Sequence, residues 1–106
     1  MSEIRFERSP EQKLMALVLR AADRVTLRKC AESLSEDLGA EPCERFDGMD
    51  QVFWDFRVFG TPVTLHWKQA GEVFVVAQDP SSQSDAAVRR TAEHLARRFG
   101  ASAEGA

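Results

Sequence analysis

Between Val52 and Lys68 the chain alternates large apolar and polar side chains with a period of two, which a strand can bury on one side and a helix cannot. Val52, Trp54, Phe56 and Val58 alternate with Phe53, Asp55, Arg57 and Phe59, and Val63, Leu65 and Trp67 alternate with Thr64, His66 and Lys68. Gly60-Thr61 reads as the two-residue turn of a hairpin, which sets Val58 opposite Val63, Phe56 opposite Leu65 and Trp54 opposite Trp67. All the large apolar side chains then share one face, and that face needs a second layer to cover it. A third strand, Val73 to Gln78, follows the Ala70-Gly71 turn with Trp67 opposite Phe74. Asp47-Gly48 reads as one more turn, with Cys43 to Phe46 as a short edge strand before it.

Two helices supply the cover. Leu27, Cys30, Ala31, Leu34 and Leu38 recur at helical spacing behind a Thr26 N-cap, with Gly39 placed for a left-handed C-cap. Val88, Ala92, Leu95 and Phe99 form a second stripe, with Ser82, Ser84 and Asp85 at its start and Arg97, Arg98 and Gly100 at its end, as the helix dipole favours. Leu14 to Leu19 is ambiguous. Ser9-Pro10-Glu11-Gln12 resembles a capping box with proline in the first turn, which would open a helix, yet the apolar run has no clean helical stripe. A buried strand there completes the sheet. The expected fold is α+β, a two-layer sandwich with a three- to four-stranded antiparallel sheet and two helices on one face. Its order is β-α-β-β-β-α, with α-α-β-β-β-α as the alternative. One domain over 9–100 is expected, with 101–106 as a disordered tail.

The chain has 106 residues, 43% apolar and 29% charged, enough to bury one core without disulfides or metal. Fourteen cations against 17 acidic residues leave a net charge of -3, which argues against a dedicated nucleic-acid binder. Cys30 and Cys43 do not make a disulfide framework, the charged N-terminus does not read as an export signal, and the longest apolar run is too short to span a bilayer. A cytoplasmic setting is expected, with no membrane partner.

No phosphate loop, dinucleotide turn, nucleophile elbow or paired-histidine metal motif is present, and no cofactor or metal is expected. The hairpin register sets Asp55 opposite His66, an arrangement in which the carboxylate orients an imidazole for acid–base work; an ordinary cross-strand pair is the plainer alternative. Cys43, after Pro42 and beside Arg45, is a candidate reactive thiol, whereas Cys30 belongs to a core stripe. His94 reads as a surface histidine between Arg90 and Arg98. From Glu32 to Asp55 eight acidic residues stand against one arginine, a solvated segment or an acidic face for a basic partner.

The strand positions turned away from the core give a candidate binding face of Phe53, Asp55, Arg57, Phe59, His66 and Lys68, joined by Val73 and Val75. Such a face is either capped by Ile4 and Phe6 or offered to another protein or a second copy of the chain. A small binding or adaptor module is the expected function. A small enzyme using Asp55 and His66, or Cys43, is one alternative, and a weak nucleic-acid binder using Arg89, Arg90, Arg97 and Arg98 is another.

Phe53-Trp54-Asp55-Phe56, Gly60 and Leu65-His66-Trp67 resemble the aromatic-Asp-aromatic, Gly, Leu-x-aromatic core of a family of short uncharacterised bacterial proteins. The resemblance covers about Leu14 to Phe99 and implies a fold and a bacterial origin, with no activity or site residues. Thr26 to Gly100 also resembles, in topology, the helix, three strands, helix succession of double-stranded RNA-binding domains. Ser84-Asp85-Ala86-Ala87 stands where that family has a lysine-rich helix start, so the phosphate grip is missing.

Overall fold

The computed structural model describes residues 4–100. It is an α+β sandwich whose order is β1 (Arg5–Arg8), β2 (Leu14–Leu19), α1 (Arg24–Leu38), β3 (Glu41–Asp47), β4 (Gln51–Val58), β5 (Thr61–Lys68), β6 (Val73–Ala77) and α2 (Ser82–Leu95). A single π turn, Ala96–Gly100, extends α2. All six strands join one antiparallel sheet in the order β1-β2-β6-β5-β4-β3, so α1 carries the chain from β2 to the far edge. The sheet is larger than the three or four strands expected, and four strands rather than three separate the helices.

Leu14–Leu19 is a strand, buried at all but Met15. The Ser9-Pro10-Glu11-Gln12 segment before it is a hairpin turn rather than a helix start. Ser9 Oγ accepts from the Lys13 amide at 3.1 Å, the Gln12 amide donates to the Ser9 carbonyl at 2.8 Å, and Gln12 takes φ 69°. That turn adds β1 as an edge strand, ahead of the domain start expected at residue 9. Helix α1 begins earlier than expected: Asp23 is its N-cap, with Oδ1 accepting from the Thr26 amide at 2.8 Å, and Gly39 ends it at φ 65°. That amide bond holds the Asp23 carboxyl below the usual carboxylate range. Ser81 caps α2 through a bond from the Ser84 amide.

Both helices lie on the same sheet face. Val52, Trp54, Phe56 and Val58 of β4 and Val63, Leu65 and Trp67 of β5 are all buried there, as the alternation requires. The register between them differs from expectation. Phe59 and Gly60 form the two-residue loop, both with positive φ (52° and 78°), the arrangement of a type I′ hairpin. Phe56 therefore faces Val63, Trp54 faces Leu65 and Val52 faces Trp67. The shift is two residues, so each side chain keeps its face but changes its partner.

Strand β6 departs in the other way. Trp67 pairs with Val73 and His66 with Phe74, a one-residue difference that turns the strand over. Val73 and Val75 are core residues at 0% and 1% exposure, and Phe74 and Val76 lie on the opposite face.

Candidate functional site

The sheet face away from the helices has no described element over it. Across it runs a row set by the strand registers: Phe46 of β3 beside Phe53 of β4, Phe53 beside His66 of β5, His66 beside Phe74 of β6, and Phe74 beside Leu17 of β2. Ring centroids are 6.2 Å apart for Phe46 and Phe53, 4.1 Å for Phe53 and His66, and 5.9 Å for His66 and Phe74. Phe53, His66 and Phe74 are half-buried against one another, while Phe46 is 60% exposed at the edge. Beside the row is a hollow of about 440 Å³ floored by Met15, Phe53, Phe74 and Val76.

Polar groups flank the row at defined points. Lys68 Nζ lies 5.0 Å from the centre of the Phe74 ring. His66 Nε2 lies 2.9 Å from Gln51 Oε1, within hydrogen-bonding distance. Burial first and Lys68 second hold the His66 imidazolium below the usual histidine range. Asp55 stands opposite Thr64, whose hydroxyl donates to its carboxylate at 2.7 Å.

Of the face read from the sequence, the structure brings together Phe53, Asp55, Arg57, His66 and Lys68. Phe59 is elsewhere. Its ring carries the Arg90 guanidinium of α2 at 4.0 Å, so it sits on the helix side of the hairpin tip. Val73 and Val75 leave the face for the core, and Phe46, Phe74, Met15 and Leu17 join it. Phe6 does not cap the face either, because it lies under Arg89 of α2 at 4.8 Å. Ile4 packs partly against the core on that same helix side.

Asp55 pairs with Thr64 and His66 with Phe53, so neither the acid–base pair nor the plainer cross-strand pair of these two residues forms. Cys43 is exposed, its thiol directed at the Glu41 carbonyl at 3.6 Å, while the neighbouring Arg45 lies over the Trp54 ring at 4.3 Å and bonds Asp47. Cys30 is fully buried, and burial pushes its thiol up to about 12.

His94 is no lone surface residue. Its Nε2 lies 2.8 Å from Ser33 Oγ and 3.1 Å from Asp37 Oδ2, Ser33 donates to Asp37 at 2.8 Å, and Arg98 donates to the same carboxylate oxygen at 2.6 Å. Together they clasp α1 to α2. The serine and the carboxylate meet the same imidazole nitrogen, whereas a Ser-His-Asp relay places them on opposite ring nitrogens, so the cluster lacks that geometry. The Ser33 hydroxyl, then Arg98 and His94, hold the Asp37 carboxyl below its ordinary range.

A second hollow of about 370 Å³ separates α1 from β3 and β4 on the helix side, with Trp54 and Phe56 at its floor and Glu32, Glu36 and Glu44 among its walls. Part of the acidic stretch gathers there. Among the described residues no three His, Cys, Asp or Glu side chains cluster as metal ligands, and no helix is long and apolar enough to cross a membrane.

No family model, curated protein or solved structure matches the chain, so the site is read from its own geometry.

Proposed function

We propose that the protein is a small, non-catalytic protein-binding module of the cytoplasm whose partner docks on the uncovered sheet face. The observation that carries this reading is the row Phe46, Phe53, His66 and Phe74, three ring contacts in succession across four strands with no described element above them. Apolar surface left in water costs roughly 25 cal/mol per Å². Patches of this kind, apolar at the centre and charged at the margin, mark contact surfaces. The free thiols Cys30 and Cys43 suit a reducing compartment.

The same geometry gives the alternatives little. An acid–base enzyme would need His66 to face a carboxylate, and it faces Phe53 and bonds Gln51. A nucleic-acid site would need a free basic stripe on α2, but Arg89 is stacked on Phe6, Arg90 on Phe59, and Arg98 is bound to Asp37. Phe53 and His66 each spend one ring face on the other, which leaves less for stacking a base.

The test is capture with tagged chain as bait in an extract of its own host, wild type beside Phe53→Asp/Phe74→Asp. A bound protein retained by the wild type and lost from the variant, with circular dichroism unchanged, is the expected result. Capture indifferent to the substitutions would overturn the reading.

A further inference from the structure

We infer that the occupant of the uncovered face is a second copy of this chain, packed sheet against sheet about a two-fold axis lying in the interface. The inference rests on the docking reading above and adds the identity of the partner.

Size is the first argument. Six strands about 4.8 Å apart, about six residues long on average and rising ~3.3 Å per residue, present a face of roughly 570 Å². Two such faces in full overlap bury roughly 1,100 Å², above the ~1,000 Å² that separates specific interfaces from incidental contacts.

Charge is the second. In an isologous contact a face meets itself, so an excess of either sign is doubled and repels, whereas a face built for an acidic or basic partner carries the opposite excess. Here the two signs balance. The cations Arg5, Lys13, Arg57 and Lys68 share the face with Glu7, Glu41 and Asp55, and Glu11 borders its hollow. The chain as a whole has a net charge of -3, so its acidic excess lies off this face. Glu32, Glu36 and Glu44, for instance, wall the hollow on the helix side.

Position is the third. The aromatic row crosses from β3 to β6, and most of the charges (Arg5, Glu7, Glu41, Arg57 and Lys68) stand on the edge strands or near strand ends, while Asp55, mid-strand on β4, is tied to the Thr64 hydroxyl. A two-fold axis through the row turns it onto its own copy, so rings pack on rings while the mixed charges form the rim.

Sedimentation velocity of the wild type, from low-micromolar to near-millimolar loading, tests the inference. A species of about twice the 11.9 kDa chain mass is expected. Phe46→Asp, at a position already 60% exposed and therefore safe for folding, should weaken the dimer about tenfold or more. Phe53→Asp/Phe74→Asp should leave monomer, with an intact thermal transition as the control. A wild type that stays monomeric throughout, or a dimer that Phe46→Asp leaves unchanged, overturns the inference. Should the monomeric chain still capture a different protein through this face, the docking reading survives without it; if capture fails as well, both fall.

Discussion

His66 lies against Phe53 on the neighbouring strand with ring centroids 4.1 Å apart and planes 17° from parallel. This stack replaces the Asp55–His66 pair that a hairpin turn at Gly60-Thr61 would have made, and it changes what the histidine is for. An imidazole opposite a carboxylate is drawn toward its charged form. Opposite a phenyl ring, half-buried and beside Lys68, it is driven toward the neutral form and behaves as one ring of an apolar row.

A pH dependence follows. The folded-state pKa of His66 lies below its ordinary 6.5, so the unfolded chain takes up the proton first as pH falls. The stability from the neutral ring is complete above pH 6.5 and is lost as pH drops from there through the folded-state value. Urea titrations across pH 5 to 8 should show wild-type stability falling on the acid side relative to His66→Phe, which keeps the stack and removes the proton. Parallel curves for the two proteins would contradict the assigned environment.

Trp67 is the most demanding core side chain. It is 5% exposed, its Nε1–H donates to the Ala22 carbonyl at 2.9 Å, and Arg24 covers its ring at 4.8 Å. Trp67→Ala opens a cavity costing about 3 to 5 kcal/mol and strands a buried carbonyl for about 1 to 3 more. Trp67→Phe keeps most of the packing and loses the bond, so about 1 to 3 kcal/mol is expected. Chemical denaturation ranks them, and equal losses would mean that the hydrogen bond contributes nothing.

How much was legible in the sequence turns on the parity of register errors. A turn at Gly60-Thr61 pairs β4 and β5 two residues away from the observed register, which preserves the face of every side chain; the core list for those strands therefore stands, and the pair Asp55–His66 does not. At β6 the observed register differs from the expected one by a single residue, so Phe74 and Val73 exchange faces. The row itself was illegible because Phe46 and Phe74 reach it through registers set by other strands and by a bulge between Pro42 and Arg45. Strand β1 is exposed at every position, and the alternation Ile4, Arg5, Phe6, Glu7 is too short to mark a strand by itself. Ser9 misled for a chemical reason: a serine hydroxyl accepting from a nearby amide serves a hairpin turn as well as a helix cap.

Phe59 offers a substitution on the opposite side of the molecule from the candidate site. Its φ of 52° is unfavourable for a bulky residue, and Asn-Gly is the preferred pair for such a loop. Phe59→Asn relieves that strain and gives up the Arg90 contact, so stability should change by about 1 kcal/mol or less. Association through the aromatic row should be untouched. A loss of association comparable to that of Phe46→Asp would place Phe59 on the binding face after all.

Gly71 and Gly39 make a paired test of the backbone, since both hold positive φ (104° and 65°) and differ in their surroundings. A Cβ at Gly39 would meet nothing within 4 Å, whereas one at Gly71 would lie 3.1 Å from Ala21 Cα and 3.2 Å from both the Ala22 nitrogen and the Arg20 carbonyl oxygen. All three neighbours are main chain, so none can swing aside. Gly71 also fastens the β5–β6 turn to the end of β2, its carbonyl accepting from the Ala22 amide at 2.8 Å. Gly39→Ala should therefore cost about 1 kcal/mol, the dihedral penalty alone. Gly71→Ala bears that penalty together with a backbone collision and a strained turn bond, and about 2 to 4 kcal/mol is expected. Thermal denaturation compares the two directly; near-equal losses would mean that the β2 end and the turn can separate without consequence.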